Sequence, residues 1–151
     1  MFVSRCRPIF LTVFLLLLPL LSTGCEGRDQ IDIRIGEARI RVEIAANPAA
    51  RQKGLMQRES LGPDEGMLFV YPRVGVLAIW MRDTLVPLDV GFFDQEGRLL
   101  NWISMEPDGG RVIHRSRGLA LYALEMNRGW FEQQGIGEGA QLRLPYPIEA
   151  N

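Results

Sequence analysis

The chain has little of what most often holds metals or cross-links a fold. It carries two cysteines and one histidine in 151 residues. The cysteines, Cys6 and Cys25, both fall near the N-terminus. A domain beyond residue 25 is thus without a thiol, a disulfide or a cysteine metal site, even in an oxidising compartment. There is no Walker-type loop, no dinucleotide fingerprint and no H-E-x-x-H helix. Gly109-Gly110 and the GIGEG run at 135–139 are too short and ordinary to cradle phosphates. No charge of one sign dominates: 17 Lys and Arg face 18 Asp and Glu, and no basic stripe marks a nucleic-acid surface. Internal repeats are absent, and the only low-complexity stretch is at the N-terminus.

That stretch reads MFVSRCRPIFLTVFLLLLPLLSTGCEG. Arg5 and Arg7 precede an apolar run over residues 9–21. As a helix the run spans about 20 Å, against about 30 Å of hydrocarbon to cross. This is the length of a secretory signal rather than of a membrane span. Leu-Ser-Thr-Gly-Cys at 21–25 then resembles a bacterial lipobox, with Ser22 where an aliphatic residue usually stands. The expectation is cleavage after residue 24, acylation of Cys25 and a short tether over 25–30. The alternative is simple secretion or a retained anchor. Cleavage removes two arginines and no acid, so the formal charge moves from -1 to -3.

The remaining length suits one domain, expected over 31–145 with a tail over 146–151. IDIRIGEARIRVEIA at 31–45 alternates with period two around Gly36-Glu37 and predicts a β-hairpin. Asn47-Pro48 starts a helix that the pattern extends to Met56 or Arg58, with Gly54 inside it hinting at close packing. Strands are expected at 67–71, 76–81, 88–93, 98–105, 119–126 and 140–144. Turns are expected at 59–66, 72–75 and 94–97, a mobile loop at 109–118, and a short helix at 129–134. This predicts an α+β class, mostly β: antiparallel hairpins forming a sheet or partly closed barrel with one or two short helices.

Three blocks, GLMQRESLGPDEGMLFVY, WMRDTLVPLDVGFFDQEGRL and ALEMNRGWFEQQGIGEGAQLRL, resemble in order the bacterial and archaeal family known as domain of unknown function 192 (DUF 192). The resemblance covers roughly residues 31–145. It implies a compact, β-rich single domain that is often exported, and it carries no agreed activity or catalytic residues. This chain departs at Asp83, where the family usually has Asn, and at Ala140, where an acid often follows the late glycine.

Several side chains are candidates for chemistry. Asp89 lies in LDVGFF opposite Leu88, Val90 and Phe92, and shares its face with Gly91 and Phe93. It either floors a cleft walled by Phe93, Trp80 and Trp102, or it is structural, taking backbone N–H groups of the 84–87 turn or pairing with an arginine. Asp83-Thr84 follows a strand end and suits turn formation, or Asp83 joins the same ligand cleft. Glu125 ends a buried strand and could pair with Arg82, joining Asp89 in one polar cluster. His114 sits among Arg111, Arg115 and Arg117. It reads as a base, as part of an anion site that also uses Arg51 and Arg58, or as a solvated loop residue. Met56, Met67, Met81, Met105 and Met126 could ligate Cu(I), or fill gaps in the core.

These observations order three readings. The first is a non-enzymatic domain, anchored to an envelope membrane through Cys25 and facing the periplasm or cell surface. It presents an aromatic and acidic cleft to a small ligand or an envelope protein. The second is a hydrolase using Asp89 or Glu125, with His114 and the basic loop binding an anionic substrate. The third is Cu(I) handling. No resident metal, no cofactor and no nucleic-acid partner is expected.

Overall fold

The computed structural model describes residues 30–151; the expected signal segment, Cys25 and the tether before Gln30 lie outside the described residues. Alternation shapes the first two strands, β1 (Gln30–Ile35) and β2 (Ala38–Ala45), which pair antiparallel with Ile33 opposite Ile40. Ile33, Ile35, Ile40 and Val42 are all buried on one side. Asn47 then caps helix α1 (Pro48–Lys53) by accepting the Ala50 N–H at 2.9 Å. The helix ends earlier than the pattern predicts. Gly54 turns to φ +47° and donates its N–H to the Ala50 carbonyl. A side chain there would sit 3.3 Å from the Phe69 ring, so the close packing read from Gly54 is a helix stop against β3.

The α1 crossover allows β3 (Glu65–Gly75) to lie parallel to β2, while every other pairing is antiparallel. After β3 come β4 (Ala78–Trp80), β5 (Leu88–Phe93), β6 (Leu99–Met105), β7 (Ile113–Arg115), β8 (Ala120–Asn127), helix α2 (Trp130–Gln133) and β9 (Leu142–Arg143). Seven strands form one sheet in the order β6-β5-β8-β3-β2-β1-β9, and β4 pairs with β7 alone. The sheet curls until its two ends meet. Leu99 donates to the Ala140 carbonyl at 2.9 Å, Leu142 donates to the Gly97 carbonyl at 2.8 Å, and Arg98 bridges Gln141. Gly97 has φ +78°, and a Cβ there would lie 2.8 Å from the Leu142 carbonyl, so this closure needs glycine. The domain is a mostly β, curled half-barrel with two short helices and a small second sheet.

The sheet separates two cores. The inner one holds Phe93, Leu99, Leu124 and Met126, and α2 plugs it with Trp130 and Phe131. The outer one holds Met67, Phe69, Leu88, Val90 and Phe92 and is covered by α1, its following turn and the β4–β7 pair. All six residues of β5 are buried, because both of its faces are covered.

Two further expectations give way to pairing. Residues 72–75 do not form a free turn: β3 runs on, with an irregularity between Val70 and Gly75 that accommodates Pro72, which cannot donate to a ladder. The segment 109–118 is not an open loop, because 113–115 pairs with β4. β4 itself alternates, with Ala78 and Trp80 out and Ile79 in. Among the described residues no helix is long and apolar enough to cross a membrane.

Candidate functional site

The parity of the strands decides which acids meet. In β8, Leu124 and Met126 join the inner core, so Glu125 and Ala123 face outward. Glu125 stands opposite Val90 of β5 and Met67 of β3, both outer-core residues. Asp89 stands opposite Met126 and so faces inward. The sheet lies between the two acids. The cleft expected from Trp80, Asp89, Phe93, Trp102 and Glu125 is therefore divided. Asp89, Phe93 and Trp102 occupy the inner side, where Trp102 stacks on Phe131 at 5.8 Å. Trp80 and Glu125 lie on the outer side, where both border one cavity.

Asp89 is fully buried. Ser104 Oγ donates to its Oδ1 at 2.7 Å, across the β5–β6 ladder. Its Oδ2 is buried with no hydrogen-bond partner among the described residues. Its neighbours explain the enclosure, since a Cβ at Gly91 would already strike the Phe131 ring.

Glu125 is 4 % exposed and borders a cavity of about 60 Å³. It makes no hydrogen bond and no ion pair among the described residues, and burial pushes its carboxyl up to about 8. At neutral pH it is mainly a neutral acid, able to donate one hydrogen bond and to accept others. Tyr71 lies on the same face of β3, two residues on from Phe69. Burial raises its phenol above the ordinary value, the Arg51 guanidinium opposes that rise, and Glu125 adds to it. Arg51 stacks over the Tyr71 ring at 5.2 Å and donates to the carbonyls of Val70 at 3.0 Å and Asn151 at 2.7 Å. Acid, phenol and guanidinium thus share one recess.

The mouth is built by two strained turns. Asp83 and Gln57 are the two non-glycine residues with positive φ among those described, at 51° and 60°. They are tied together, the Gln57 N–H donating to the Asp83 carbonyl at 2.8 Å. Asp tolerates this conformation because its short polar side chain fits the left-handed region. Thr84 closes the turn, its hydroxyl donating to the Arg82 carbonyl at 3.2 Å. Trp80, 46 % exposed, forms the lip. Trp80, Arg82, Gln52, Lys53 and Met56 border both the inner cavity and a shallower hollow of about 410 Å³ that adds Gln57 and Asp83. Backbone strain of this kind concentrates where structure serves a site.

The other candidates lie elsewhere. His114 stands opposite Ile79 in the small sheet and does not border the Glu125 cavity. Arg111 donates to the Asp108 carbonyl, Arg115 is exposed opposite Ala78, and Arg117 pairs with Glu138 at 2.6 Å. Arg58 donates to both carboxyl oxygens of Glu43, at 2.6 and 2.7 Å, on a part-buried surface. The arginines do not converge on one anion site with His114. Met67, Met81 and Met105 are in the outer core and Met126 in the inner, while Met56 borders the cavity. No group of three or more His, Cys, Asp or Glu among the described residues could hold a metal ion. Tyr71 belongs to the site without having been singled out in the sequence, and Thr84 was read there only as a turn residue. Period-two alternation of MLFVY does put Met67, Phe69 and Tyr71 on one face, the face of Glu125.

Comparison with known proteins places this geometry in a family. A protein from Sinorhizobium meliloti 1021, put forward as a transcription regulator, has a crystal structure matching with TM-score 0.73 and 30% identity, over 77% of this chain and 94% of its own. A protein of unknown function from Novosphingobium aromaticivorans DSM 12444 matches with TM-score 0.73 and 28% identity, over 80% of this chain and 89% of its own. No curated protein matches. Residues 31–144 match the family described as DUF192, Uncharacterized ACR, COG1430, and the chain belongs to that family.

Proposed function

We propose that this is a binding or accessory domain of the cell envelope that takes a small ligand, or the tip of a protein segment, into the recess above Glu125. One observation carries the reading: a carboxyl that is almost fully buried, without a hydrogen-bond or ion-pair partner among the described residues, and open to a cavity. Leaving a buried polar group unpaired costs about 1–3 kcal/mol. A ligand that supplies the missing hydrogen bond recovers that cost on binding. Export and anchoring through Cys25 rest on the signal-like N-terminus and the lipobox-like 21–25. The regulatory role put forward for the S. meliloti relative is not carried over, because the near-balanced charge supplies no basic stripe for DNA.

A second reading, hydrolysis with Glu125 as acid or base, is supported by a carboxyl held near neutrality, which suits proton transfer. It predicts turnover that Glu125→Gln destroys while the fold persists. A broad hydrolase screen in which wild type and variant give the same background would remove it.

The test of the first reading is native mass spectrometry of the protein purified gently from its own envelope, alongside Glu125→Ala. The expected result is an added mass at fixed stoichiometry in the wild type and a bare mass in the variant. An added mass retained by the folded variant would show that the ligand sits elsewhere, and a bare wild type would contradict the reading.

A further inference from the structure

The recess also restricts what kind of group can enter it, and this argument rests on the binding reading above. Arg51, Lys53 and Arg82 line the approach to Glu125 and, among the described residues, only Arg82 is paired there, with Asp83 at 3.7 Å, so the approach keeps a net positive charge that disfavours an ammonium group. An anion reaching the floor would be stripped of its water in a cavity of about 60 Å³. It would find Arg51 already committed to the carbonyls of Val70 and Asn151. A neutral group that both donates and accepts hydrogen bonds faces neither obstacle. The inner cavity of about 60 Å³ has room for one such group, not for a ring. A ring must stay outside, in the hollow of about 410 Å³, a volume within the usual range of small-ligand sites, about 300–1,000 Å³. There it lies against the half-exposed Trp80 and against Met56, which offer a flat apolar face. The amides of Gln52 and Gln57 border the same hollow and can donate to or accept from hydroxyls.

We infer that the recess is a saccharide subsite, in which a sugar ring stacks on Trp80 and one neutral substituent, a hydroxymethyl or acetamido group, reaches the Glu125 carboxyl. The two substituents share the chemistry that Glu125 requires, a neutral donor–acceptor pair. A matched pair of disaccharides separates them: N,N′-diacetylchitobiose carries both, and cellobiose only the hydroxymethyl.

The experiment is titration of the isotopically labelled protein with each disaccharide up to 10 mM, reading the Trp80 indole N–H by NMR. The expected result is a saturable shift with at least one disaccharide. Glu125→Ala and Trp80→Ala should each weaken it ten-fold or more while the rest of the spectrum stays dispersed. Glu125→Gln, which keeps a neutral donor and acceptor, should retain most of the affinity. Binding of the acetylated sugar alone would assign the acetamido group to the cavity. The inference is overturned if neither disaccharide moves the Trp80 signal, or if the shift survives Glu125→Ala. Should the sugars fail while the native protein carries a molecule that Glu125→Ala releases, the binding reading stands and only the saccharide assignment falls.

Discussion

Two buried acids, one on each side of the same sheet, have opposite surroundings. Asp89 faces the inner core, where Ser104 binds one of its oxygens and Phe131 of α2 packs against the nearby Gly91. Glu125 faces the outer side, where the covering elements are a one-and-a-half-turn helix, two turns and a two-stranded pair. Those pieces do not seal the sheet, and the gap they leave lies over the carboxyl. Burial alone thus does not identify a functional acid. The difference lies in access: Asp89 is enclosed, with one oxygen bonded by Ser104 and the other unbonded among the described residues, while Glu125 borders a cavity.

The largest expected effect concerns pH. The folded-state value for Glu125, about 8, lies above the ordinary 4.5, so the folded protein binds the proton more tightly than the unfolded chain. Stability from this group is complete below pH 4.5 and is lost as pH rises through 8. At about 1.4 kcal/mol per unit the loss is on the order of 5 kcal/mol across that window. Urea denaturation at stepped pH should show the decline in the wild type and not in Glu125→Gln. Parallel curves for the two proteins would mean that Glu125 is not the group responsible.

On the inner side the effects are smaller and independent of the cavity. Ser104→Ala leaves Asp89 without its one side-chain partner and should cost about 1–3 kcal/mol. The double change Asp89→Leu with Ser104→Ala should recover much of that loss, because the unsatisfied groups are removed together. If the double variant is worse than Ser104→Ala, Asp89 has a role beyond that bond. Gly91→Ala drives a methyl into Phe131 and should also cost about 1–3 kcal/mol in thermal or urea unfolding. An unchanged midpoint would show that α2 yields there. The smallest effect is expected for Trp80→Ala, within about 0.5 kcal/mol of wild type, since the ring stands half in solvent at the lip. A large loss would make Trp80 a structural cover rather than a binding surface.

Much of this fold was legible in the residues, and particular elements show why. The 31–45 hairpin, the Asn47-Pro48 helix start and the strand at 88–93 follow from local period and capping, which need no knowledge of partners. The length of α1 was not legible, because what stops it is Gly54 meeting Phe69 from a distant strand. The pairing of 113–115 with β4 was equally hidden, since three residues of that composition have no strand signature until another edge binds them. The site shows the same division. Alternation marks Asp89 and Glu125 each as facing one side of its own strand. Whether the two strands present the same side depends on register, here Asp89 opposite Met126 and Val90 opposite Glu125, and local sequence does not encode register. The contribution of Tyr71 and Arg51 to the recess likewise depends on how α1 packs across β3.

The contrast between the two acids rests most heavily on Glu125 being buried, unpartnered and open to the cavity. The most direct check is the ¹³C carboxyl titration of Glu125 in the folded protein, assigned by its loss in Glu125→Gln. A titration midpoint near 8, shifting when a ligand occupies the recess, is the result expected here. A midpoint in the ordinary glutamate range near 4.5 would mean that the carboxyl is solvated or already paired, and the recess would lose its claim to be the site.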